Sequence, residues 1–441
     1  MKLDQEIMQS ADMMKDAMIA QRRDLHRHPE PGWTEFRTAS IVAATLESLG
    51  YDVKTGEAVI ARDSMMGLPS PDVLRAAEER AAAEGAEPRW LERMKGGLTG
   101  VVGTLRFKTP GPVVALRFDM DSNDVDETDA PDHLPNCEGF ASLHAGAMHA
   151  CGHDGHTSVG LAVAKLLASR KDDLAGTLKL IFQPAEEGVR GAKAMTDRGV
   201  VDDVDYMLGA HFGFKMKETG SIACNVTGFL ATGKYDARFT GRASHAGAAP
   251  EAGRNALLAA ACAALNLHAI PRHSGGVSRI NVGVLEAGSG RNVTADKALL
   301  KLETRGATSA INEFMETEAK RVIEAAASMY GVEVSIEKVG GAAGGSNTPA
   351  LASYIAKRAK ELGVFSKIIG DCDFGASEDF AYFMERVQAH GGQAAYLMIG
   401  ANLDAGHHDS HFNFDETALP NAAKILACTA AGLLLGEKLS M

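Results

Sequence analysis

Short apolar runs that each end in polar residues constrain the fold of this chain more than any other feature. The runs occupy residues 113–118, 178–182 and 206–210, and helical patterns such as 158–169 and 192–199 lie between them. Asp119 and Asp121 follow the first run, residues 183–187 follow the second, and His211 follows the third. The alternation predicts an α/β fold with a doubly wound sheet. Because ligands bind at the carboxyl ends of the strands in such sheets, these polar residues are expected to line a site.

A different pattern interrupts the alternation between residues 217 and 337. It runs strand, helix, strand, strand, helix, strand, which is the order of the split ferredoxin-like α+β unit. A chain of 441 residues also exceeds the usual size of a single hydrophobic core. We therefore expect a catalytic domain formed by residues 1–216 and 338–441, and an inserted domain formed by residues 217–337.

Helical periodicity marks three further segments. An apolar stripe predicts an amphipathic helix from Ile7 to about Arg27, and a second helix is expected from Arg37 to Leu49, closed by Gly50. Residues 75–94 form a charged, alanine-rich helical stretch to which the sequence assigns no function.

The segment from Met148 to His156 is dense in metal-binding side chains. It places Cys151, His153 and two further histidines, His149 and His156, within nine residues. Thiolate and imidazole are ligands that zinc and its neighbours prefer. The segment therefore predicts one half of a metal site, and candidates for the other half are Glu186 with Glu187, His211, and His407 with His408.

Five of these candidates form a consistent set. Five protein ligands are too many for one catalytic tetrahedral ion and suit two ions that share a bridge, which predicts a two-metal hydrolase. In the Glu186-Glu187 pair one carboxylate can bind metal while the other takes a proton from the attacking water, and we assign Glu187 and Glu186 to these roles. A solvated helix start is the alternative for this pair. The expected ligands are Cys151, His153, Glu187, His211 and His408.

Five strings in the chain resemble a known family. They are MHACGHDGH (148–156), FQPAEEG (182–188), GRASHAG (241–247), GSGRNV (288–293) and GASEDF (375–380). Together they resemble the dinuclear metallo-aminoacylase and carboxypeptidase superfamily, and within it the amidohydrolases that use a cysteine as bridging ligand. Segments 66–69, 199–206 and 406–408 are most similar to members that act on p-aminobenzoyl-glutamate.

The resemblance implies roles for individual residues. Cys151 is the bridge, and His408 is preferred to His407 because Phe412 lies four residues after it, as in the family pattern. His245 matches a histidine that reaches across a dimer to the tetrahedral oxyanion, and the inserted domain is then a dimerisation or lid domain. The remaining matches are Asn292 and Arg305, which hold the substrate's α-carboxylate, and Asp119, which orients an imidazole ligand.

The expected activity is hydrolysis of an N-acyl or N-aroyl amino acid, p-aminobenzoyl-glutamate first and indoleacetyl-aspartate as an alternative. Arg291 and Lys234 are candidates for binding a side-chain carboxylate, although surface charge explains them as well. The family continues Asp-Ala-Leu-Pro at the first strand, whereas Asp121 is followed here by Ser122, Asn123 and Asp124. This departure bears on the substrate more than on the chemistry.

Net charge and cysteine content limit the classes of partner and the cellular compartment that we expect for this chain. A formal net charge of −12 argues against nucleic-acid and anionic-membrane partners. Six irregularly spaced cysteines indicate no disulfide framework, and neither a signal-peptide core nor an apolar run of membrane length occurs, so a cytoplasmic location is expected. Thiolate ligation favours zinc, the resemblance suggests manganese, and both a homodimer and a heterodimer with a related chain remain open.

Two competing hypotheses remain. In the first hypothesis, the chain is a catalytically silent partner in a heteromeric hydrolase, although the base and all five ligands are present. Alternatively, Cys151 with His153 acts as a nucleophile, which predicts sensitivity to thiol reagents without sensitivity to chelators.

Overall fold

The computed structural model describes residues 2–439 and divides into two compact units. The first unit extends to Thr227 and continues through Ser346–Phe374 and from Asp379 onwards. The second unit comprises Gly228–Gly345 together with Gly375–Glu378.

The described residues form the following helices and strands. The helices are α1 (Lys2–Met13), α2 (Lys15–Arg27), α3 (Phe36–Ser48), α4 (Pro71–Ala83), α5 (Pro88–Met94), α6 (Leu134–Cys137), α7 (His153–Ala168), α8 (Ala192–Asp197), α9 (Ala256–Leu267), α10 (Ser309–Tyr330), α11 (Pro349–Leu362), α12 (Phe380–Ala389) and α13 (Ala418–Leu434). The strands are β1 (Asp52–Thr55), β2 (Val101–Arg106), β3 (Thr109–Asp119), β4 (Ala175–Gln183), β5 (Tyr206–Phe212), β6 (Ser221–Thr227), β7 (Ala231–Thr240), β8 (Ser278–Ala287), β9 (Lys297–Gly306), β10 (Glu333–Ala342), β11 (Lys367–Asp373) and β12 (Gln393–Ile399). Among residues 2–439, every helix is too short or too polar to cross a lipid bilayer.

The first unit is built on an eight-stranded mixed sheet in the order β1-β2-β4-β3-β5-β12-β6-β11. Its centre is parallel, because β3 pairs in parallel with β4 and β5, and β5 pairs in parallel with β12. The last six residues of β3 are all buried, as expected for a strand covered on both faces. The predicted α/β fold class is confirmed, and the parallel centre brings the carboxyl ends of β3, β4 and β5 to one edge.

The second unit is a four-stranded antiparallel sheet in the order β10-β7-β9-β8. Alternate residues of β9 are buried, and their apolar side chains share a core with α9 and α10. Along the chain the order is strand, helix, strand, strand, helix, strand, so the predicted ferredoxin-like pattern is present. Thr308 caps α10 by accepting the amide of Ile311, and Gly331 ends that helix in the left-handed conformation.

Several element limits differ from the sequence prediction. The helix expected from Ile7 to Arg27 is two helices, interrupted at Met14, and residues 75–94 lie in α4 and α5, separated at the left-handed Gly85. Residues 221–227, assigned to the inserted domain by the sequence, form β6 of the large sheet, where they pair with β11 and β12. The compact second unit accordingly begins at Gly228, while the division at residues 217 and 337 stays a prediction.

Candidate metal centre

Polar side chains meet where β3, β4 and β5 end. Asp119 closes β3, Gln183 closes β4 ahead of the Glu186-Glu187 pair, and His211 lies in the last part of β5. Gly152 adopts a left-handed conformation with a φ of 89°, which lets the chain turn directly into α7 at His153. Helix α7 therefore starts five residues before the predicted 158.

Two histidines are held through Nδ1, which leaves Nε2 as the nitrogen that can bind a metal ion. His153 Nδ1 donates to the backbone oxygen of Asp121 at 2.9 Å, and His211 Nδ1 donates to the backbone oxygen of Phe212 at 2.7 Å. Since a carbonyl oxygen only accepts, each Nδ1 carries a proton, and in the neutral tautomer Nε2 keeps the lone pair that a metal ion binds. His153 Nε2 is buried without a hydrogen-bond partner. This tautomer is the one that metal-ligating histidines adopt.

Cys151 lies beside these nitrogens. Its Sγ is 3.4 Å from His211 Nε2, and the side chain is buried. Burial and the nearby charge of Glu187 raise the pKa of the Cys151 thiol well above its usual value. A thiolate at this position therefore needs a cation, which is what a bound metal ion provides.

Glu187 joins a second group of donors. Its Oε1 lies 3.3 Å from His408 Nε2 and 4.0 Å from His153 Nε2. Burial acts to raise the pKa of Glu187, but the hydrogen bond to His408 and the charge of His153 outweigh it and lower the pKa to about 2. Glu187 is thus ionised at neutral pH, as a ligand must be.

The donor atoms form overlapping groups whose members all lie within 4.8 Å of one another. One group is Cys151, His153 and His211, and another is Cys151, Glu187 and His408. Cys151 belongs to both. Among the described residues the structure thus gathers all five predicted ligands into two groups that share the thiol, and this donor set fits two divalent cations.

His156 lies in a further group with Asp119 and His153, but its own nitrogens are occupied. His156 Nδ1 donates to Asp119 Oδ1 at 2.6 Å, and its Nε2 accepts the amide of Phe212 at 3.1 Å. Asp119 is also paired with Arg117 at 2.5 Å. Held in this way, the His156 ring packs against the rings of His153 and His211, at centroid distances of 5.4 and 4.5 Å.

The two adjacent histidines His407 and His408 have different surroundings. His407 Nε2 donates to the backbone oxygen of Phe212 at 3.1 Å, and its ring stacks on Phe214 at 4.1 Å. Burial, which outweighs the hydrogen bond to Phe212, lowers the pKa of His407 to about 4. The His408 side chain is 55% exposed and faces Glu187. The geometry favours His408 over His407 as the metal ligand.

Glu186 lies next to the donors and belongs to neither of the two groups that share Cys151. Its Oε2 is 3.9 Å from His153 Nε2, and the side chain is 12% exposed. Its backbone N–H donates to Asp121 Oδ1 at 3.0 Å, and that of Glu187 donates to Asp121 Oδ2 at 2.8 Å. A carboxylate held this close to a metal donor, with access to solvent, is suited to accept a proton from water.

Backbone strain is concentrated around these residues. In the part of the chain that the structure describes, the non-glycine residues with positive φ are Trp33, Ala185, Val189, Phe214 and His408. Ala185 and Val189 flank the glutamate pair, and Phe214 stacks on His407. Each such residue costs about 1–3 kcal/mol and persists only where its surroundings hold it.

The groups that hold this loop were not predicted from the sequence. Glu35 accepts the amide of Ala185 at 2.8 Å, and Asp379 accepts the amides of Gly191 and Ala192 at 3.1 and 2.9 Å. No spacing rule links position 35 to position 185. For Asp379 the available signal is the GASEDF string, which contains it without indicating its role.

The remaining predicted site residues belong to the second unit. His245 forms a bridge with Val293, and the amide of Ala246 donates to the backbone oxygen of Asn292 at 3.0 Å, so His245 and Asn292 are neighbours. Arg305 lies on β9 and pairs with Glu303 at 2.9 Å. Lys234 lies on β7, where its backbone is paired with Glu303, and Arg291 is exposed beside Asn292.

Comparison with known proteins establishes the family. The profile of peptidase family M20/M25/M40 matches residues 115–432. The chain belongs to this family. The chain is 50% identical over 410 residues to one of the subunits of p-aminobenzoyl-glutamate hydrolase from Escherichia coli (strain K12), which covers 93% of this chain and 94% of that protein. It is 49% identical over 414 residues to the indole-3-acetyl-aspartic acid hydrolase of Enterobacter agglomerans, covering 94% and 95% of the two chains.

A solved structure agrees with the fold. The crystal structure of the aminobenzoyl-glutamate utilization protein from Klebsiella pneumoniae superposes with a TM-score of 0.84 at 42% identity, covering 98% of each chain. The predictions of the family, of the fold class and of a hydrolase are thereby confirmed.

Proposed function

We propose that this chain is a metal-dependent amidase that hydrolyses N-acyl and N-aroyl amino acids, with p-aminobenzoyl-glutamate as the first candidate substrate. Two divalent ions, manganese or zinc, would be held by Cys151, His153, Glu187, His211 and His408. The observation that carries the proposal is the membership of Cys151 in both donor groups, because one thiolate can then bridge two ions. The Nδ1 hydrogen bonds of His153 and His211 support it by leaving each Nε2 ready to bind.

Glu186 carries the proton in this reaction. A pair of divalent ions, when bound, polarises the amide carbonyl and makes water acidic enough to ionise near neutral pH. Glu186 takes one proton from the water whose oxygen forms the new C–O bond. It returns that proton to the amide nitrogen as the C–N bond breaks, which releases the carboxylic acid and the amino acid.

The second unit supplies the substrate contacts in this proposal. His245 would reach across a dimer and donate to the oxyanion of the tetrahedral intermediate, a position where a hydrogen-bond donor has the largest effect. Asn292 and Arg305 bind the α-carboxylate, and Arg291 or Lys234 bind the side-chain carboxylate of an acidic amino acid. The assignments of His245, Asn292 and Arg305 rest on the resemblance to the family, and those of Arg291 and Lys234 rest on their charge alone.

The choice of an acidic amino acid rests on the relatives. One relative at 50% identity is named for p-aminobenzoyl-glutamate, and another at 49% is named for indole-3-acetyl-aspartic acid. Both names combine an aromatic acyl group with a dicarboxylic amino acid. We therefore assign to this chain a substrate class, aromatic acyl amides of dicarboxylic amino acids, more than either single compound.

A matched substrate panel tests the proposal. Purified protein is given p-aminobenzoyl-glutamate, its aspartate and leucine analogues, and indoleacetyl-aspartate, and release of the free amino acid is followed by chromatography. We expect the glutamate and aspartate amides to be hydrolysed with a higher kcat/KM than the leucine amide. Equal values for the leucine amide would refute the acidic preference, and hydrolysis of none would refute the amidase proposal.

Removal of metal separates this mechanism from nucleophilic attack by Cys151. Dialysis against a chelator should abolish hydrolysis, and added manganese or zinc should restore it. A cysteine nucleophile predicts activity that survives the chelator and is lost on alkylation. The raised pKa of the buried Cys151 thiol argues against it, because the thiolate is the nucleophile.

We also propose that the chain works as a dimer in the cytoplasm, with itself or with a related chain. Its E. coli relative is named as one subunit of a hydrolase. In the second unit β8 is an edge strand, and Leu257, Leu258 and Leu265 of α9 are exposed, Leu265 by 77%. Long edge strands and exposed apolar helix faces favour association. All six cysteines are free, which fits a reducing compartment such as the cytoplasm.

A further inference from the structure

Two buried carboxylates hold three consecutive amides of the loop that carries Glu186 and Glu187. Glu35 Oε1 accepts the amide of Ala185 at 2.8 Å. Asp121 accepts the amides of Glu186 and Glu187 at 3.0 and 2.8 Å. Asp121 also lies next to the ligand His153 through its own backbone oxygen, whereas Glu35 reaches the loop from a part of the chain 150 residues away in sequence.

The Glu35 carboxyl is itself fixed on every side. It is fully buried, its Oε1 accepts a second amide from Trp33 at 3.0 Å, and its Oε2 accepts the hydroxyl of Thr99 at 2.6 Å. Three hydrogen bonds inside the protein thus hold the two oxygens of this carboxyl in place.

What Glu35 holds is a residue in an unfavourable conformation. Ala185 has a φ of 52°, a left-handed conformation that alanine rarely adopts because its Cβ approaches the backbone. Further hydrogen bonds cross the loop, since the oxygen of Ala185 accepts the amides of Arg190 and Gly191 at 3.0 and 2.9 Å. Gly191 packs against the oxygen of Pro184 so closely that no side chain fits there. Without the Glu35 acceptor, rotation of Ala185 back to negative φ would turn the following peptide and move Glu186.

We propose that Glu35 is a positioning residue for the amidase reaction, which it serves by holding Ala185 so that Glu186 faces the substrate and Glu187 faces the metal donors. Glu35 touches neither substrate nor metal and acts through the loop backbone. The inference rests on the proposed function for the roles of Glu186 and Glu187.

The test compares two substitutions of Glu35 with a matched control. Glu35→Met keeps the volume and removes the acceptor, whereas Glu35→Gln keeps an oxygen for the two amides. Glu30→Met is the control, because Glu30 is equally buried and accepts two amides, those of Arg37 and Thr38 at 2.8 Å, in the first turn of α3. Both methionine variants therefore remove a buried acceptor, and only one of them frees the loop.

Hydrogen exchange and kinetics provide separate readouts. In Glu35→Met we expect amide exchange in the peptide covering residues 184–191 to be faster, and kcat to fall about 10- to 100-fold with little change in KM, since small displacements of a catalytic group have effects of this size. Glu35→Gln and Glu30→Met should keep wild-type exchange in that peptide. Adding Ala185→Gly to Glu35→Met should recover part of kcat, because glycine adopts positive φ freely.

The outcomes distinguish failure of this inference from failure of the proposed function. Wild-type exchange in the 184–191 peptide of folded Glu35→Met would overturn the positioning role. If Glu35→Met does not fold, Thr99→Val loosens the same carboxyl, and wild-type exchange in that variant would overturn it equally. If wild-type protein hydrolyses none of the amides, the proposed function fails while the exchange experiment still decides the role of Glu35.

Discussion

Replacing Glu35 with glutamine should remove part of the pH dependence of the first unit's stability. Burial, with the charge of Asp121, raises the pKa of Glu35 from 4.5 to about 8. Between these values the folded protein keeps a proton that the unfolded chain has released. The free energy of unfolding therefore falls as the pH rises from about 4.5 to about 8, and this group causes no further loss above that range.

The size of the effect follows from the shift. A rise of about 3.5 pKa units, at about 1.4 kcal/mol per unit, corresponds to about 5 kcal/mol lost across the range. Glutamine resembles the neutral carboxyl and does not ionise, so Glu35→Gln does not lose this stability as the pH rises. The two proteins should thus be similar in stability near pH 5, and Glu35→Gln should be the more stable by up to about 5 kcal/mol near pH 9.

Tryptophan fluorescence reports this difference for the first unit alone. The chain has two tryptophans, Trp33 and Trp90, and both are buried in that unit. Urea unfolding is measured at intervals from pH 5 to pH 9, with chelator present so that metal binding does not contribute. Curves of unfolding free energy against pH that run parallel for the two proteins would refute the reasoning, because Glu35 would then be ionised in the folded state.

Three further predictions concern the donors and the dimer. Glu186→Gln should lower kcat by about 10²- to 10⁴-fold and leave the bound metal unchanged. Glu187→Gln should instead lower the metal content per chain, as measured by atomic emission. Equal metal loss in both variants would contradict the division of roles. His408→Phe should lower the metal content. His407→Phe should keep the metal content and unfold at a lower temperature, since this variant loses the hydrogen bond to the buried Phe212 oxygen. Metal loss confined to His407→Phe would reverse the assignment. Leu265→Arg, on the exposed face of α9, should reduce the mass measured by light scattering from dimer to monomer, and an unchanged dimer would place the interface elsewhere.

The sequence predicted the strands and helices that surround the site better than it predicted their limits. The runs at 113–118, 178–182 and 206–210 lie in β3, β4 and β5, because a strand buried on both faces is written as a continuous apolar run. The start of α7 was missed by five residues, since the polar residues of its first turn are buried against the site and do not show an apolar stripe. The sequence placed residues 221–227 with the inserted domain and did not predict the pairing of β6 in the large sheet, because pairing partners 140 or more residues away have no local signature.

The candidate ligands could be selected from the sequence because their chemistry is local. A cysteine two residues from a histidine and a pair of glutamates after a buried strand each suggest metal chemistry by composition alone. The supporting residues could not be selected in this way. Glu35 and Asp379 act through backbone amides, and an acceptor for a backbone amide has no preferred neighbour in sequence.

By itself, the sequence determined that this chain forms an α/β fold with an inserted α+β unit, and it determined which side chains are capable of binding metal. These properties depend on the order of apolar and polar residues and on side-chain chemistry, and both can be read directly from the sequence. Only the tertiary structure decided that Cys151 is shared between two donor groups, that His408 faces Glu187 while His407 is occupied, and that Glu35 holds Ala185. Each of these depends on distances between segments that are far apart in sequence, and such distances are fixed only when the sheet and its helices pack together.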